Sequence, residues 1–191
     1  MTPIGMKRIF DVLLSVFLLL CLSIPMGLIA LAVKLTSKGP VLYWSDRVGI
    51  NNTIFRMPKF RTMRLATPQM ATHLMKDPER YLTPVGSFLR KFSLDELPQL
   101  WSILKGDMSI IGPRPALYNQ DDLVELRTRK GIHKLIPGVT GWAQVNGRDD
   151  LPIPVKVEYE EYYMNHKSMT LDLKIAWMTL VNVLQKKGIR H

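Results

Sequence analysis

An uncharged apolar run at residues 12–33 constrains this chain more than any other feature of its sequence. About 22 such residues suffice for a helix to cross the hydrocarbon core of a bilayer. The run is longer than the apolar core of a signal peptide, and no small-residue cleavage site follows it. The sequence therefore predicts a membrane helix and disfavours a cleaved signal peptide.

The charges and the proline around this run indicate how the helix meets the membrane. Basic residues flank the run on both sides, namely Lys7, Arg8, Lys34, Lys38 and Arg47. The positive-inside preference draws both ends to the cytoplasm, which a simple span cannot satisfy. Pro25 removes a backbone hydrogen bond, and the Ser23 hydroxyl can satisfy a freed carbonyl. We predict a re-entrant membrane helix in residues 1–36, broken near Pro25; an ordinary transmembrane helix is the alternative.

The rest of the chain, residues 37–191, is predicted to form one folded body. A chain of 191 residues can hold one domain with a core but hardly two. Its formal charge of +10 favours acidic partners, and nucleic acid, anionic lipid headgroups and phosphorylated substrates all qualify. The only cysteine, Cys21, allows no intrachain disulfide, which favours a reducing compartment. The histidines lie far apart in sequence, so a local zinc motif gets no support.

Residue patterning predicts an α+β fold that is mostly helical. Two segments rich in aromatic and β-branched residues, 41–44 and 53–57, indicate a β-hairpin around a turn at 49–52. Helices are predicted from residue 83, over 93–104, around 118–130, around 154–166 and over 168–187. The last helix carries a broad apolar stripe, which either packs on the core or lies as an amphipathic helix at the membrane interface.

The adjacent carboxylates Asp95 and Glu96 are the most informative residues of the sequence. Neighbouring carboxylates can share one hard cation, or divide the roles of nucleophile and metal ligand. The pattern from Ser93 to Glu96 is also a capping box, in which Glu96 satisfies backbone donors and Asp95 complements the helix dipole. Pro98 favours the first interpretation, because a proline at the fifth helical position signals an irregular helix start.

Basic side chains able to hold phosphate lie on both sides of these carboxylates in sequence. Arg90 precedes them, and Arg114 follows between two prolines that stiffen the backbone. A planar guanidinium binds phosphate in a bidentate manner. Lys59 and Arg61 add two cations on the expected second hairpin strand. Each residue alone is compatible with a solvated surface charge, but together with the carboxylates and a membrane helix they indicate a phosphate site.

A glycine-punctuated segment at 138–148 supplies an indole, two amides and a guanidinium, which suit hydrogen bonding to a nucleotide and stacking on it. Its candidate nucleotide-sugar ligands are Gln144, Asn146 and Arg148. A compact structural loop is the alternative. The chain has no Walker loop and no Gly-x-Gly-x-x-Gly motif, so ordinary nucleotide-binding folds get no support.

These motifs, in this order, resemble those of the small monotopic phosphoglycosyl transferases of the bacterial sugar transferase family. The resemblance covers nearly the whole chain and rests on the segments Lys7-Arg8-x-x-Asp11, Gly39-Pro-Val41, Lys59-Phe-Arg-Thr-Met63, Thr83-Pro-Val-Gly86, Ser93-Leu-Asp-Glu-Leu-Pro-Gln-Leu100, Gly106-Asp-Met-Ser109, Gly112-Pro-Arg-Pro115 and Gly138-Val-Thr-Gly-Trp-Ala-Gln-Val-Asn-Gly-Arg148. In one departure, Ile24 separates Ser23 from Pro25, which are adjacent in the family's pattern. This departure affects where the expected bend would lie.

The resemblance implies a magnesium-dependent transferase that moves a sugar-1-phosphate from a UDP-sugar to undecaprenyl phosphate and releases UMP. It implies that Asp95 is the nucleophile of a covalent aspartyl-phosphosugar intermediate, and that Asp95 and Glu96 hold Mg²⁺. Arg90, Arg114 and Lys59 would bind phosphate oxygens. Such an enzyme starts the synthesis of a bacterial glycoconjugate, such as an O-antigen, a capsule or a glycoprotein glycan.

The resemblance also implies where the protein works and with which partners. Residues 37–191 would be a catalytic domain on the cytoplasmic face of the bacterial inner membrane, in contact with membrane lipids. A homodimer is a further expectation, and no nucleic-acid partner is expected. Two other functions are compatible with the residues. One is a membrane-bound hydrolase of nucleotide-sugars or polyprenyl diphosphates; the other is a non-catalytic basic protein that binds anionic lipid or nucleic acid.

Overall fold

The computed structural model describes residues 3–65, 67, 77–147 and 151–185. Its architecture is α+β and mostly helical, which confirms the predicted fold class. The helices are α1 (Pro3–Thr36), α2 (Gly86–Lys91), α3 (Gln99–Lys105), α4 (Asp121–Arg129), α5 (Trp142–Gly147), α6 (Ile153–His166) and α7 (Met169–Leu184). The strands are β1 (Leu42–Val48), β2 (Ile54–Phe60), β3 (Ser109–Ile111) and β4 (Gly138–Thr140). Short 3₁₀ turns lie at Ile50–Asn52, Pro78–Tyr81, Leu94–Glu96 and Ile132–Lys134.

Strands β1 and β2 form the predicted β-hairpin, and both are longer than the sequence indicates. They pair antiparallel over their whole lengths, in a register that sets Val48 opposite Ile54. The tight connection places Asn51 and Asn52 at positive φ, a conformation that asparagine tolerates better than most residues. Lys59 lies near the end of β2, so this predicted phosphate ligand comes from a regular strand.

Strands β3 and β4 form a second, parallel ladder that the sequence pattern does not predict. Ser109 lies opposite Gly138, and Ile111 lies opposite Thr140. The chains approach so closely that a Cβ on Gly138 would lie 2.1 Å from the backbone nitrogen of Gly112. Because the strands run parallel, the segments that follow β3 and β4 start from the same edge of the ladder.

Helix α1 runs from Pro3 to Thr36 without interruption, so the helix break predicted near Pro25 is not observed. A membrane-type helix tolerates an internal proline where side chains and neighbouring turns satisfy the freed backbone groups. The Ser23 hydroxyl donates to the Leu20 carbonyl oxygen at 2.8 Å, in the turn before the proline. By length and composition, α1 is apolar enough to cross a membrane.

Helix α1 packs against the body of the protein at more than one point along its length. Near the middle of the helix, Leu18 and Leu19 contact the hydrophobic cluster around the buried Ile103. Near the C-terminal end, Val33 is fully buried in a second cluster with Phe60. Helix α1 is therefore part of the core of the protein and not a separate tether.

Polar side chains near the N-terminal end of α1 attach it to α3 and β3. Asp11 is buried and accepts hydrogen bonds from the Ser109 hydroxyl at 2.7 Å and from the Ile110 backbone N–H at 3.2 Å. Arg8 donates to two carbonyl oxygens at the C-terminal end of α3, at 2.5 and 2.8 Å. A cation there also complements the negative end of the helix dipole.

Lys7 attaches the same end of α1 to α7. Its ammonium group forms an ion pair with Asp172 at 2.5 Å, and the Tyr163 hydroxyl donates to that carboxylate at 2.7 Å. Burial and the adjacent Asp172 carboxylate raise the pKa of Tyr163 above its ordinary range. Tyr163 is therefore a neutral hydrogen-bond donor at every physiological pH.

Most of the predicted helices are confirmed, with shifted ends. The helices predicted around 118–130 and 154–166 correspond to α4 and α6. Helix α7 begins after Ser168, whose side chain caps it by accepting a backbone N–H. The end predicted for this helix at residue 187 lies outside the described residues.

The helix predicted from residue 83 begins later than expected. Thr83 donates its backbone N–H to the Thr62 carbonyl oxygen at 2.9 Å, so it is held by the chain that follows β2. Helix α2 starts at Gly86 and lacks a side-chain cap. The tertiary contact of Thr83 therefore replaces the N-cap that its sequence position predicts.

Candidate active site

The carboxylates Asp95 and Glu96 lie in the 3₁₀ turn between α2 and α3. Ser93, just before the turn, has a left-handed backbone with a φ of 55°, and its side chain makes no cap hydrogen bond. The capping-box interpretation is therefore wrong, and the helix predicted over 93–104 begins only at Gln99. A left-handed serine is an uncommon, strained conformation, and such strain is concentrated at functional sites.

Glu96 is held between two cations. Its carboxylate accepts hydrogen bonds from the Lys59 ammonium at 2.7 Å and from the Arg114 guanidinium at 2.8 Å. Burial alone would raise the pKa of Glu96, but the two adjacent cations outweigh burial and hold the pKa well below its usual range. Glu96 is therefore ionised at neutral pH.

Asp95 is buried, with 8% of its surface exposed. Burial raises the pKa of Asp95 above its ordinary value, and the negative charge of Glu96 adds to this effect. The charges of Lys59, Arg90 and Arg114 act in the opposite direction without overcoming it. Two adjacent carboxylates thus have pKa values displaced in opposite directions, a pattern typical of sites that divide chemical roles.

The fold assembles this cluster from four separate parts of the chain. Lys59 comes from β2, Arg90 from the last turn of α2, and Arg114 from the segment that follows β3. Their charges all act on Asp95. With three cations against two carboxylates, the cluster has an excess of positive charge that suits a polyanionic ligand such as a diphosphate.

Arg61, the second cation predicted for the phosphate site beside Lys59, follows the last residue of β2 and has a structural role instead. It is 4% exposed and donates to the carbonyl oxygens of Lys38 and Pro40 at 2.7 Å and of Ser37 at 3.0 Å. These bonds hold the chain that leaves α1 against the hairpin. The guanidinium of Arg61 therefore binds backbone carbonyls.

The donor set of the cluster fits one class of metal ion. Among the described residues there is no group of three or more His, Cys, Asp or Glu side chains able to hold a metal. Mg²⁺ commonly binds through one or two carboxylates and completes its coordination with water and substrate phosphates. Asp95 and Glu96 provide such a pair beside the cations that suit phosphate. The residues therefore fit a Mg²⁺ ion that arrives with a phosphate-bearing substrate.

Two of the three predicted nucleotide-sugar ligands, Gln144 and Asn146, lie in α5. The Gln144 amide donates to the Val139 carbonyl oxygen at 3.4 Å, and the Asn146 amide donates to the Trp142 carbonyl oxygen at 2.7 Å. These bonds brace the segment itself. The side-chain oxygen of Gln144 is buried and has no hydrogen-bond partner in the described part of the chain. Arg148 lies outside the described residues, and nucleotide binding by this segment stays a prediction.

A buried ion pair beside Arg114 is absent from the sequence-based predictions. Arg127 of α4 donates to the Arg114 carbonyl oxygen at 2.9 Å and to the two carboxylate oxygens of Glu160 of α6 at 2.7 and 2.5 Å. Arg127 is 8% exposed and Glu160 is 2% exposed. One signal was available, because Arg127 shares a helix face with the apolar Leu123 four residues earlier.

The chain is similar to known proteins over nearly its whole length. Residues 3–186 match the sequence model described as bacterial sugar transferase. The uncharacterized sugar transferase EpsL of Bacillus subtilis (strain 168) is 40% identical over 188 residues, which cover 97% of this chain and 91% of EpsL. The UDP-glucose:undecaprenyl-phosphate glucose-1-phosphate transferase of Escherichia coli (strain K12) is 38% identical over 183 residues, which cover 92% of this chain and 39% of that enzyme.

A third relative has a related name. The UDP-N-acetylgalactosamine-undecaprenyl-phosphate N-acetylgalactosaminephosphotransferase of Aeromonas hydrophila is 37% identical over 190 residues, which cover 96% of this chain and 45% of that enzyme. The chain thus spans most of EpsL but less than half of the two relatives whose names state a reaction. These matches show that the chain belongs to the bacterial sugar transferase family, and its enzyme class is transferase.

Proposed function

We propose that this protein transfers a sugar-1-phosphate from a UDP-sugar to undecaprenyl phosphate and releases UMP. The observation that carries the proposal is the pair Asp95 and Glu96, set in one turn against three cations. Carboxylates beside an excess of positive charge suit a reaction in which a diphosphate is bound and split. The names of the Escherichia coli and Aeromonas hydrophila relatives support the same two substrates.

In the first step, a carboxylate oxygen of Asp95 attacks the phosphorus that bears the sugar. A bond forms between that oxygen and the phosphorus, the bond from the phosphorus to the bridging oxygen breaks, and UMP leaves with the electron pair. In the second step, a phosphate oxygen of undecaprenyl phosphate attacks the same phosphorus and releases the Asp95 carboxylate. The raised pKa of Asp95 supports this role, because a more basic carboxylate is a stronger nucleophile once ionised.

Glu96, Lys59 and Arg114 prepare the site for the diphosphate. Glu96 orients the two cations through its hydrogen bonds at 2.7 and 2.8 Å. The planar guanidinium of Arg114 matches the spacing of phosphate oxygens. Both cations, together with Arg90, would offset the negative charge that develops on the departing UMP.

Asp95 and Glu96 would hold Mg²⁺ together with the phosphates of the substrate. When bound, the ion would neutralise the diphosphate and so weaken its repulsion of the attacking carboxylate. Hard cations prefer carboxylate oxygens, and the depressed pKa of Glu96 keeps this ligand ionised at neutral pH.

We place both ends of α1 on the cytoplasmic side of the bacterial inner membrane. Arg8 near the start of the helix and Val33 near its end both contact the same folded body. A helix that crosses a bilayer separates its ends by about 30 Å of hydrocarbon, so a water-exposed body cannot contact both ends. Because α1 is unbroken, these contacts support a helix that lies along one leaflet with both of its ends at the cytoplasmic surface.

One face of α1 is apolar and exposed along its length. Its residues are Leu13, Phe17, Leu20, Ile24, Leu28 and Leu31. They recur at intervals of three or four positions, so they share one helix face, which would contact lipid acyl chains. On α7, Ile175 is buried while Leu173, Trp177 and Leu180 are exposed, which supports the second of the two alternatives for this helix, a position at the membrane interface. Such anchoring gives Asp95 access to the lipid phosphate at the membrane surface.

A UMP-release screen tests the proposed function. The full-length protein in lipid nanodiscs would be incubated with Mg²⁺, undecaprenyl phosphate and each of a panel of UDP-sugars. We expect UMP and a lipid-linked diphospho-sugar for at least one UDP-sugar, and neither product with Asp95→Asn. Lys105→Gln, which removes an exposed cation from α3, is the matched control and should keep wild-type activity.

The two alternatives give different outcomes in the same screen. A nucleotide-sugar hydrolase would release UMP and free sugar phosphate in repeated turnovers whether or not the lipid is present, and would form no lipid-linked product; a polyprenyl-diphosphate hydrolase would release no UMP. A non-catalytic lipid-binding protein would release no UMP from any UDP-sugar. Either result would contradict the proposal that the protein is a transferase.

A further inference from the structure

The segment that carries Arg114 has no regular secondary structure of its own. It follows β3 and is held through its backbone: the Pro113 carbonyl oxygen accepts from Gly138, and the Pro115 carbonyl oxygen accepts from Arg47 at 3.1 Å. The carbonyl oxygen of Arg114 itself accepts from Arg127 at 2.9 Å. A side chain on an irregular segment keeps one direction only where its backbone is held in this way.

Arg127 is itself held by Glu160. Two hydrogen bonds at 2.7 and 2.5 Å join them in a fork, and both residues come from regular helices. A bidentate pair of this kind fixes the plane of the guanidinium as well as its position. Arg127 therefore presents the second N–H of its Nη2 to the Arg114 carbonyl oxygen in one orientation.

The stability of the fold does not explain this pair well. Burying two charges removes them from water, and apolar residues of similar volume frequently stabilise a protein equally well or better. The same two helical regions are also linked at the surface, where Lys130 and Glu161 form an ion pair at 2.8 Å. The contact that distinguishes the buried pair from the surface pair is the hydrogen bond to Arg114.

We infer that Arg127 and Glu160 are positioning residues for the reaction. Arg127, oriented by Glu160, fixes the backbone of Arg114 so that its guanidinium stays against Glu96 and the substrate phosphate. Neither residue of the pair touches the reacting atoms. This inference rests on the proposed function, in which Arg114 binds the diphosphate.

The deciding variant replaces both charges with apolar residues, Arg127→Met with Glu160→Leu. It avoids an unpaired buried charge, and we expect it to melt near the wild-type temperature. We expect UMP release to fall roughly a hundredfold, the effect of misplacing a binding group by about 1 Å. A variant that folds and retains wild-type turnover would overturn the inference, because a purely structural pair would be replaced without loss.

A double-mutant cycle separates an effect through Arg114 from a general one. In the background of Arg114→Gln, the apolar double replacement should change UMP release by less than about twofold, since residues that act as a unit are not additive. An equal fold-loss in both backgrounds would contradict a role through Arg114. Lys130→Gln with Glu161→Gln, which removes the surface pair of the same helical regions, should match wild type.

A measurement without substrate keeps this inference distinct from the proposed function. In NMR spectra of the nanodisc-bound protein, the Arg114 guanidinium signal would be identified by its loss in Arg114→Gln. We expect that signal to broaden in the apolar double variant and in Glu160→Gln, a milder change that keeps one acceptor, and to stay sharp in the surface-pair control. If the wild type turns over no UDP-sugar, the proposed function fails while this signal still decides the positioning role. An unchanged signal in both variants would overturn it.

Discussion

Glu96 and Glu160 are both glutamates bound to an arginine, yet their surroundings differ. Glu160 lies on a regular helix, is 2% exposed and is matched in charge by Arg127. Glu96 lies in an irregular turn beside a second carboxylate, and its partner Arg114 has a side chain that is 32% exposed. The closed, balanced pair cannot admit a ligand and can only hold other groups in place, whereas the open cluster with excess positive charge can admit an anion. Charge balance and access, not ion pairing itself, distinguish the two sites.

The largest expected effect falls on the closed pair. Glu160→Ala leaves Arg127 buried without a counter-charge, and we expect it to lower the free energy of unfolding by roughly 3–5 kcal/mol. Glu96→Ala should lower it by less, because water can reach the partly exposed Arg114. Thermal unfolding of both variants in the same detergent checks this difference. Equal losses would mean that the two glutamates do not differ in the way their surroundings indicate.

The next effect falls on the open cluster and on activity. Arg114→Lys keeps the positive charge but removes the planar fork, so we expect UMP release to fall by about 10²–10³-fold while the fold is retained. Arg129→Lys, in the exposed Arg129–Glu125 pair of α4, is the matched control and should be silent. Initial rates of UMP release by the wild type, Arg114→Lys and Arg129→Lys test this expectation. A rate near that of the wild type in Arg114→Lys would reduce Arg114 to a structural partner of Glu96.

A smaller effect concerns how Asp95 makes the stability of the folded protein depend on pH. Because the folded-state pKa of Asp95 is raised, the folded protein binds more protons than the unfolded chain, and stability falls as the pH rises from the ordinary value of 3.8 through the folded pKa. Asparagine cannot ionise, so Asp95→Asn should melt higher at neutral pH without Mg²⁺. Each kcal/mol corresponds to roughly 2–4 °C in a chain of this size. If the gain in melting temperature of Asp95→Asn over wild type shrinks as the pH rises, the raised pKa of Asp95 would be contradicted.

Glu96→Gln should show the opposite pH dependence. The depressed pKa of Glu96 contributes stability that is present above the ordinary value of 4.5 and is lost as the pH falls through the folded pKa. The variant should therefore melt lower than wild type at neutral pH, with a difference that narrows in acid. Melting curves across the pH range, compared with those of Asp95→Asn, would show whether the two carboxylates diverge as their surroundings require.

The chemistry of the site is readable from the sequence because it depends on residue types. Adjacent carboxylates flanked by Lys59, Arg90 and Arg114 are a one-dimensional pattern, and the fold brings these groups together. The capping box was the wrong alternative for a physical reason. Ser93 and Glu96 fit the capping pattern in sequence, but in the structure Ser93 has a left-handed backbone and the Glu96 carboxylate binds Lys59 and Arg114 instead of a backbone donor.

The strands, ion pair and helix that hold the site in place cannot be predicted from the sequence in the same way. Strands β3 and β4 have three residues each, too few to show an alternating pattern. The spacing of Arg127 from the apolar Leu123 places it on the inner face of α4, but the sequence does not indicate that Glu160 of α6 is its partner. Pro25 predicts a break, but the helix continues because the chain on either side of it packs on the core. In each case, elements distant in sequence decide the outcome.

The central claim is that Asp95 becomes covalently attached to the phosphosugar, and intact-protein mass spectrometry tests it most directly. The protein would be incubated with Mg²⁺ and its UDP-sugar in the absence of undecaprenyl phosphate, and UMP would be counted in parallel. The account predicts up to about one UMP per protein, a mass increase of one sugar-phosphate located on Asp95, and loss of that mass when the lipid is added. UMP that forms only when undecaprenyl phosphate is present, with no adduct on the protein, would contradict it.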